Sequence, residues 1–319
     1  MTHPLVHPRR GGFGGAVIGG AHDGDPHQLI SAAPAFGLTR ESTYLYGTLR
    51  DADENLYSVM RRRSHPGAWP TRLWTRSSLG ANGLDRHDLA LRSASTSKMA
   101  AIADGDSTRF VAAAVDGDQP MECTLGPERV DWSEGAILHV AGNDVSHGLQ
   151  WYLPDPDGSM LYVSRLFIVD GHFDNVAVRG IVGIDDVFLE PGRRNYIDDP
   201  ITAHHRSQAW CTWATLYDDG SSESGHVAFG PDRFGFGIRS ASNGAVDIAS
   251  NVSGTVTMHD GLPEHASFRI DGLDWEFVVD QHGRCAPTGG PVLQAEGWLR
   301  RGGETRRPTV WSASLEVPA

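Results

Sequence analysis

Titratable side chains are concentrated in the segment YIDDPITAHHR, which leads into an aromatic-rich run. A polar loop of this kind can place an acid or a base at the mouth of a cavity. Loss of water there raises the pKa of a carboxyl group and allows proton transfer near neutral pH. A solvated loop with capping aspartates would have the same composition, and contact with a pocket distinguishes the two interpretations. The candidates for catalysis in this segment are Asp198, Asp199, His204 and His205.

Aromatic residues occur on both sides of this segment. Trp151 and Tyr152 stand together near the start of an apolar stretch, and Tyr152 is a further catalytic candidate because its hydroxyl can transfer a proton. An ordinary aromatic core would show the same composition as a cavity wall, and a lone histidine is common in such a core, so both interpretations stay open. The side chains predicted to bind a substrate are Trp151, Tyr162, Trp210, Trp213, Tyr217 and His226.

The sequence predicts no metal site and no organic cofactor. Adjacent strand residues point to opposite faces, so His204 and His205 are poor joint ligands for one ion. The motifs GxSxG, HExxH and CxxC do not occur, and the run GGFGGAVIGG lacks the rest of a nucleotide-binding fingerprint. The three cysteines, Cys123, Cys211 and Cys285, are widely spaced, so no disulfide framework is expected.

The elements that must position these side chains are predicted to be β-strands. From Gly148 to Arg239, runs rich in Val, Ile, Tyr, Trp and Phe alternate with turn sequences such as PDPDG and DDGSS. The run from Met160 to Val169 is apolar on both alternating faces, which predicts that both faces are covered. Asp185 and Asp186 follow the run VAVRGIVGI, and a pair of acids at the end of a strand is typical of a turn, with a catalytic role as the alternative.

Strand-like runs also continue on either side of this central stretch, and no long window shows a helical period. We therefore predict an all-β protein with two tandem antiparallel lipocalin-like β-barrels, or strongly bent sandwiches, packed against each other. The length of 319 residues is typical of two domains. We expect a flexible or lightly docked N-terminal segment (1–35), a first barrel domain (36–145) and a second barrel domain (146–319).

Charge and hydropathy limit the partners. The formal net charge of −13 disfavours nucleic acid, whose binding surfaces are basic. No run is long and apolar enough to span a bilayer, and no secretory signal is recognised, so a cytoplasmic location is expected. The partners considered are a hydrophobic small-molecule substrate or ligand and a second copy of the chain in a homodimer.

Several features of the central stretch resemble a known superfamily. They are Trp151-Tyr152, the long strand ending at Asp170-Gly171, Val178-Arg179-Gly180 in the next strand, and Trp210-x-x-Trp213 followed by Asp218-Asp219-Gly220. In these features the chain is similar to the two-domain lipocalin-like superfamily. That superfamily includes AttH-type proteins, carotenoid 1,2-hydratases of the CrtC type and certain fungal Diels–Alderases.

The resemblance implies a pair of barrels with an apolar ligand site near their interface. It also implies hydration, cyclisation or isomerisation of terpenoid, polyene or polyketide-like substrates without a cofactor. We therefore expect a cofactor-independent hydratase, isomerase or cyclase that acts by proton transfer on a hydrophobic small molecule such as a terpenoid, steroid or polyketide. The alternative is a non-catalytic binding or carrier protein, which would lack a desolvated titratable group at the ligand.

Overall fold

The computed structural model describes residues 17–22, 25–65, 73–78, 85–86, 98–115, 119–156, 158–201, 207–285 and 291–319. Within these ranges the only helical element is a short 3₁₀ helix, Pro26–Leu29, and the strands all pair in the antiparallel sense. The predicted all-β, antiparallel fold class is therefore confirmed. No described helix has the length and apolar character needed to cross a membrane.

The first of two sheets is a half-barrel of thirteen strands. Its strands are β1 (Ile18–His22), β2 (Thr39–Arg50), β3 (Leu56–Ser64), β4 (Leu73–Ser77), β5 (Asp85–Arg86), β6 (Ala100–Asp104), β7 (Ser107–Ala112), β8 (Met121–Leu125), β9 (Arg129–Glu134), β10 (Leu138–Asp144), β11 (Gly148–Leu153), β12 (Met160–Phe173) and β13 (Val176–Leu189). The strand order is β5-β4-β3-β2-β13-β12-β10-β9-β8-β7-β6, and β11 pairs with both β12 and β1. The long strands β12 and β13 therefore lie in the middle of this sheet.

The second sheet has nine strands and forms a nearly closed barrel. Its strands are β14 (Ala209–Tyr217), β15 (Ser222–Phe229), β16 (Gly235–Ala241), β17 (Val246–Ala249), β18 (Val252–His259), β19 (Leu262–Ile270), β20 (Leu273–Arg284), β21 (Val292–Arg301) and β22 (Pro308–Pro318). The order β17-β16-β15-β14-β22-β21-β20-β19-β18 places β14 beside the last strand of the chain. The change of sheet falls between Leu189 and Ala209, and the domain boundary expected near residue 145 stays a prediction.

Two-residue turns join the hairpins of the second sheet where the sequence contains Asp-Gly. Asp260 and Gly261 have φ angles of 52° and 76°, and Asp271 and Gly272 have φ angles of 46° and 85°. Both central residues of each turn are thus left-handed, as in the type I′ turns that match the twist of a hairpin. The register of the flanking strands agrees, since His259 pairs with Leu262 and Ile270 pairs with Leu273.

Strand β12 has apolar neighbours on both faces. Phe167 and Val169 belong to the core inside the first sheet. Leu166, one residue away and on the opposite face, packs with Ala214 and Val310 of the second sheet. The prediction that both faces of this strand are covered is confirmed, because one face closes the first core and the other contacts the second sheet.

Polar contacts also join the two sheets. The guanidinium of Arg50 donates to the backbone carbonyl of Trp311 at 2.6 Å and pairs with Asp280 at 3.2 Å. The Thr48 hydroxyl donates to Glu296 at 3.1 Å. The sheets are therefore docked by matched polar groups as well as by apolar side chains.

Candidate active site

A cavity of about 40 Å³ lies where the two sheets meet the segment that connects them. One water molecule needs roughly 10–15 Å³ of such space, so the cavity has room for a few waters or one small chemical group. The apolar part of the lining comes from both sheets and from the connecting segment, which contributes Ile201. The aromatic and polar lining residues are Trp151, Tyr162, Asn195, Tyr196, Ser207, Trp210 and Glu316.

Strand pairing explains why Trp210 and Glu316 share this cavity. The two residues lie directly opposite each other on β14 and β22. Directly paired residues of antiparallel strands project from the same face with their side chains in contact range. The carboxyl of Glu316 therefore stands beside the Trp210 indole in the cavity wall.

Glu316 has the electrostatic properties of a group that can exchange protons. Burial raises its pKa to about 7, the hydrogen bond from Tyr196 lowers it, and the carboxyl groups of Glu296, Asp199 and Asp185 raise it further. The Tyr196 hydroxyl donates to the two carboxyl oxygens at 3.3 and 3.4 Å. A carboxyl that is half protonated near neutral pH can act as an acid or as a base.

Three rings form one side of the cavity, which we call the aromatic wall: Trp151, Tyr162 and Trp210. Trp151 and Tyr162 are directly paired on β11 and β12 and stack with ring centroids 5.1 Å apart. Trp210 reaches them from the second sheet, at centroid distances of 5.4 and 5.6 Å. The wall is therefore continuous across the contact between the sheets.

His226 lies behind this wall as a neutral ring. It is completely buried, and its ring centroid lies 5.2 Å from that of Trp210 and 5.5 Å from that of Tyr162. Burial lowers its pKa to about 3. The Trp210 N–H donates to the Thr212 hydroxyl at 3.1 Å, and that hydroxyl lies 3.0 Å from Nδ1 of His226. Thr212 therefore links the Trp210 indole to the His226 ring.

A second carboxyl, Asp185, lies behind Tyr162. The Tyr162 hydroxyl donates to it at 2.5 Å. Burial raises the pKa of Asp185 to about 6, against the lowering effect of hydroxyls that include Tyr162. Asp186 points to the other face of β13, where it pairs with Arg40 at 3.2 Å. The interpretation of this acid pair as a turn is wrong, because both residues lie buried in the middle of a strand.

The titratable segment after β13 contributes a tyrosine to the cavity. Tyr196 has a φ of 65°, a conformation that costs energy for a residue other than glycine. Asp199 stabilises it, because its buried carboxylate accepts the backbone N–H groups of Tyr196 at 2.7 Å and Ile201 at 3.0 Å. Asp198 points away and pairs with Arg194 at 3.4 Å, with 39% of its side chain exposed. His204 and His205 lie outside the described residues.

The structure does not bring the other predicted residues to the cavity. Tyr152 packs against Phe36, with ring centroids 5.4 Å apart. Trp213 belongs to the core inside the second sheet. Tyr217 donates its hydroxyl to Glu223 at 2.6 Å, also away from the cavity. The four described candidates that do lie together are Trp151, Tyr162, Trp210 and His226, and the roles assigned to all of them stay predictions.

Sequence reasoning missed the carboxyl that lines the cavity. Glu316 stands in the run SASLEVPA, which has no motif, and only its pairing with the tryptophan-rich strand β14 reveals its position. Among the described residues, no group of three or more His, Cys, Asp or Glu side chains is arranged to hold a metal ion.

Comparison with known proteins finds similarity among solved structures. No protein-family model and no curated protein matches the chain. A protein of Nitrosomonas europaea with a provisional AttH designation has a TM-score of 0.44 at 12% identity, over 88% of this chain and 92% of that one. Kievitone hydratase from Nectria haematococca has a TM-score of 0.46 at 8% identity, over 94% of this chain and 97% of that one.

Proposed function

We propose that this protein is a cofactor-independent enzyme that transfers a proton to or from a hydrophobic small molecule. The observation that carries this proposal is Glu316, a carboxyl in the wall of an aromatic-lined cavity whose pKa burial raises to about 7. We assign the reaction to the hydratase, isomerase or cyclase type and the substrate to molecules such as terpenoids, steroids or polyketides. The cavity of about 40 Å³ would receive the reacting end of such a molecule.

In this mechanism Glu316 begins in its protonated form. It gives its proton to a carbon–carbon double bond of the substrate, one carbon of which forms the new C–H bond while the other becomes electron-deficient. The Tyr196 hydroxyl, 3.3 Å away, then donates a hydrogen bond to the carboxylate that remains. The aromatic wall stabilises the positive charge on the substrate, as aromatic faces do for cations.

The fate of that charge decides the product. Return of a proton from a neighbouring carbon to Glu316 shifts the double bond, which is isomerisation. Attack by a water oxygen, with loss of one water proton to the carboxylate, gives an alcohol, which is hydration. Attack by a second double bond of the same molecule closes a ring, and loss of a proton to the carboxylate completes the cyclisation.

A binding or carrier protein is the second candidate. The stacked pair Trp151 and Tyr162, with Met160 beside them in the lining, offers apolar contact that needs no chemistry. In a carrier, Glu316 would contribute only a hydrogen bond to the ligand. The two functions differ in whether bonds to hydrogen at carbon are made and broken in the cavity.

Isotope incorporation tests the enzyme directly. A panel of small isoprenoid alkenes and unsaturated ketones is incubated with the protein in D₂O, and deuterium at carbon is measured by mass spectrometry. We expect Glu316→Gln to slow incorporation by roughly 100-fold or more, the usual contribution of a general acid. Glu264→Gln, at a surface carboxyl that pairs with Arg284, is the matched control and should keep the wild-type rate.

Two results would contradict parts of this proposal. If Glu316→Gln incorporated deuterium at the wild-type rate, Glu316 would not be the acid. Compounds that bind to the wild-type protein but never acquire deuterium would favour the carrier.

A further inference from the structure

We propose that the cavity is a cation site, which binds an alkylammonium group in preference to a neutral group of the same shape. The corresponding ligand class is a hydrophobic amine, protonated or quaternary, whose charged end enters the cavity. This inference rests on the proposed function for the location of the site. It deepens that function, because an ammonium group beside ionised Glu316 reproduces the charges that the proposed mechanism reaches after proton transfer.

The charge of the lining is the first argument. Glu316 is the single charged side chain among the described residues that line the cavity, where no arginine, lysine or histidine occurs. A cation that enters would stand beside the carboxylate in a site from which water is largely removed. An anion there would meet a like charge, and a neutral group would leave the carboxylate without an ion pair.

The charged groups near Glu316 also favour a bound cation. Glu296 on β21, Asp185 on β13 and Asp199 in the connecting segment each interact with Glu316 through like-charge repulsion. The other titratable groups near it are tyrosine hydroxyls: Tyr196 donates to Glu316, Tyr162 also lines the cavity, and Tyr46 interacts with Glu316 electrostatically. Burial raises the pKa of each of these hydroxyls, so they stay uncharged. Acidic groups from both sheets and from their connection thus lie near enough to repel the charge of Glu316, and a bound cation would offset this repulsion.

The aromatic wall supplies the second kind of attraction. Cations are attracted to the faces of aromatic rings, and among Trp, Tyr and Phe the attraction is strongest for Trp. Two of the three rings of the wall are tryptophans, and Tyr196 adds a fourth ring to the lining. An aromatic lining with one carboxyl group is the combination that recognises an ammonium ion bearing alkyl groups.

Cavity size favours a compact charged group. The volume of about 40 Å³ accommodates one small group, so the bulk of a larger ligand would lie outside it. The apolar part of the ligand would then contact Val292, Val317 and Pro318, which also line the cavity. A hydrophobic amine satisfies both requirements.

The protonation state of Glu316 should make the affinity for a cation depend on pH, and this dependence can be measured. Because burial raises the pKa of this carboxyl to about 7, roughly a tenth of it is ionised at about pH 6 and roughly nine tenths at about pH 8. A quaternary ammonium ion keeps its own charge over this range. Its affinity should therefore rise about tenfold between these two pH values, and that of a neutral compound should not.

The experiment is calorimetric titration of the full chain with choline and with its neutral carbon isostere, in which a tert-butyl group replaces the trimethylammonium group. We expect choline to bind at least about tenfold more tightly than the isostere at about pH 8. Glu316→Gln should remove the pH dependence centred near pH 7, and Glu264→Gln, the surface control, should keep it. Trp210→Leu should weaken choline binding about tenfold, and Trp298→Leu, at a ring that packs on Trp311, should not.

Equal affinity for choline and its isostere in the wild-type protein would overturn the proposal, and so would an absence of choline binding at millimolar concentration. Neither result depends on the folding of a variant. If equal affinity were found while Glu316→Gln still abolished deuterium incorporation, the cation site would fail and the proposed enzyme would stand. A preference for choline without deuterium incorporation would retain the cation site and remove the enzyme.

Discussion

Replacement of Glu316 by Gln should stabilise the protein at high pH and leave its stability nearly unchanged at low pH. The pKa of this carboxyl rises from 4.5 to about 7 on folding, chiefly through burial. Each pKa unit corresponds to about 1.4 kcal/mol, so the shift is worth about 3 kcal/mol. The folded state holds the Glu316 proton more tightly than the unfolded state does. Protonation of Glu316 therefore contributes fully to the free energy of unfolding below about pH 4.5, contributes less as the pH rises, and contributes nothing above about pH 7.

Glutamine stays neutral and can still accept the hydrogen bond from Tyr196. The variant should therefore gain up to about 3 kcal/mol over the wild type at about pH 8 and differ little from it at about pH 4. Urea denaturation at several pH values measures this difference, and groups that titrate in both proteins cancel from it. Glu264→Gln controls for the loss of a surface carboxyl that pairs with Arg284. A stability difference that does not change with pH, or a loss of stability at about pH 8, would refute the reasoning.

Three further substitutions test a buried ion pair, a close packing contact and a turn elsewhere in the fold. Arg61→Leu leaves Glu134 without its ion pair at a fully buried position, so we expect urea denaturation to show a loss of about 3–5 kcal/mol, and a loss under about 1 kcal/mol would contradict this. Gly183→Ala places a methyl group 2.3 Å from the Tyr46 ring, and a lowered midpoint of thermal unfolding, from a loss of about 1–3 kcal/mol, is expected rather than no change. Gly261→Ala has open space but a φ of +76°, so backbone strain alone should cost about 1 kcal/mol in urea denaturation, and a neutral result would argue against the turn.

Strand alternation accounts for which predicted aromatic residues reach the cavity. Trp210 and Trp213 are an odd number of residues apart on β14, so they point to opposite faces. Trp210 faces the first sheet, whereas Trp213 fills the core of the second sheet. The same rule separates Trp151 from Tyr152. This separation follows from the sequence once the strands are assigned, although composition alone groups all of these residues together.

Buried charge within strands was harder to predict. Asp185 and Asp186 have the composition of a turn, yet β13 continues through them because each acid has a partner on its own face. Asp185 accepts the Tyr162 hydroxyl, and Asp186 pairs with Arg40. Both partners come from other strands, so a single strand read on its own does not reveal that its acids can be buried.

The raised pKa of Glu316 depends on contact between the two sheets. Trp151 and Tyr162 belong to the first sheet, and Trp210 and Glu316 belong to the second. The largest cause of the raised pKa of Glu316 is burial. Without the first sheet and the connecting segment against it, this carboxyl would face water and lose the cause of its shift. Strand order, which places β22 beside β14, and sheet docking, which removes water, are both long-range properties of the fold. The local sequence SLEVP reveals neither the strand order nor the sheet docking. No motif therefore indicated Glu316, the group to which we assign the proton transfer.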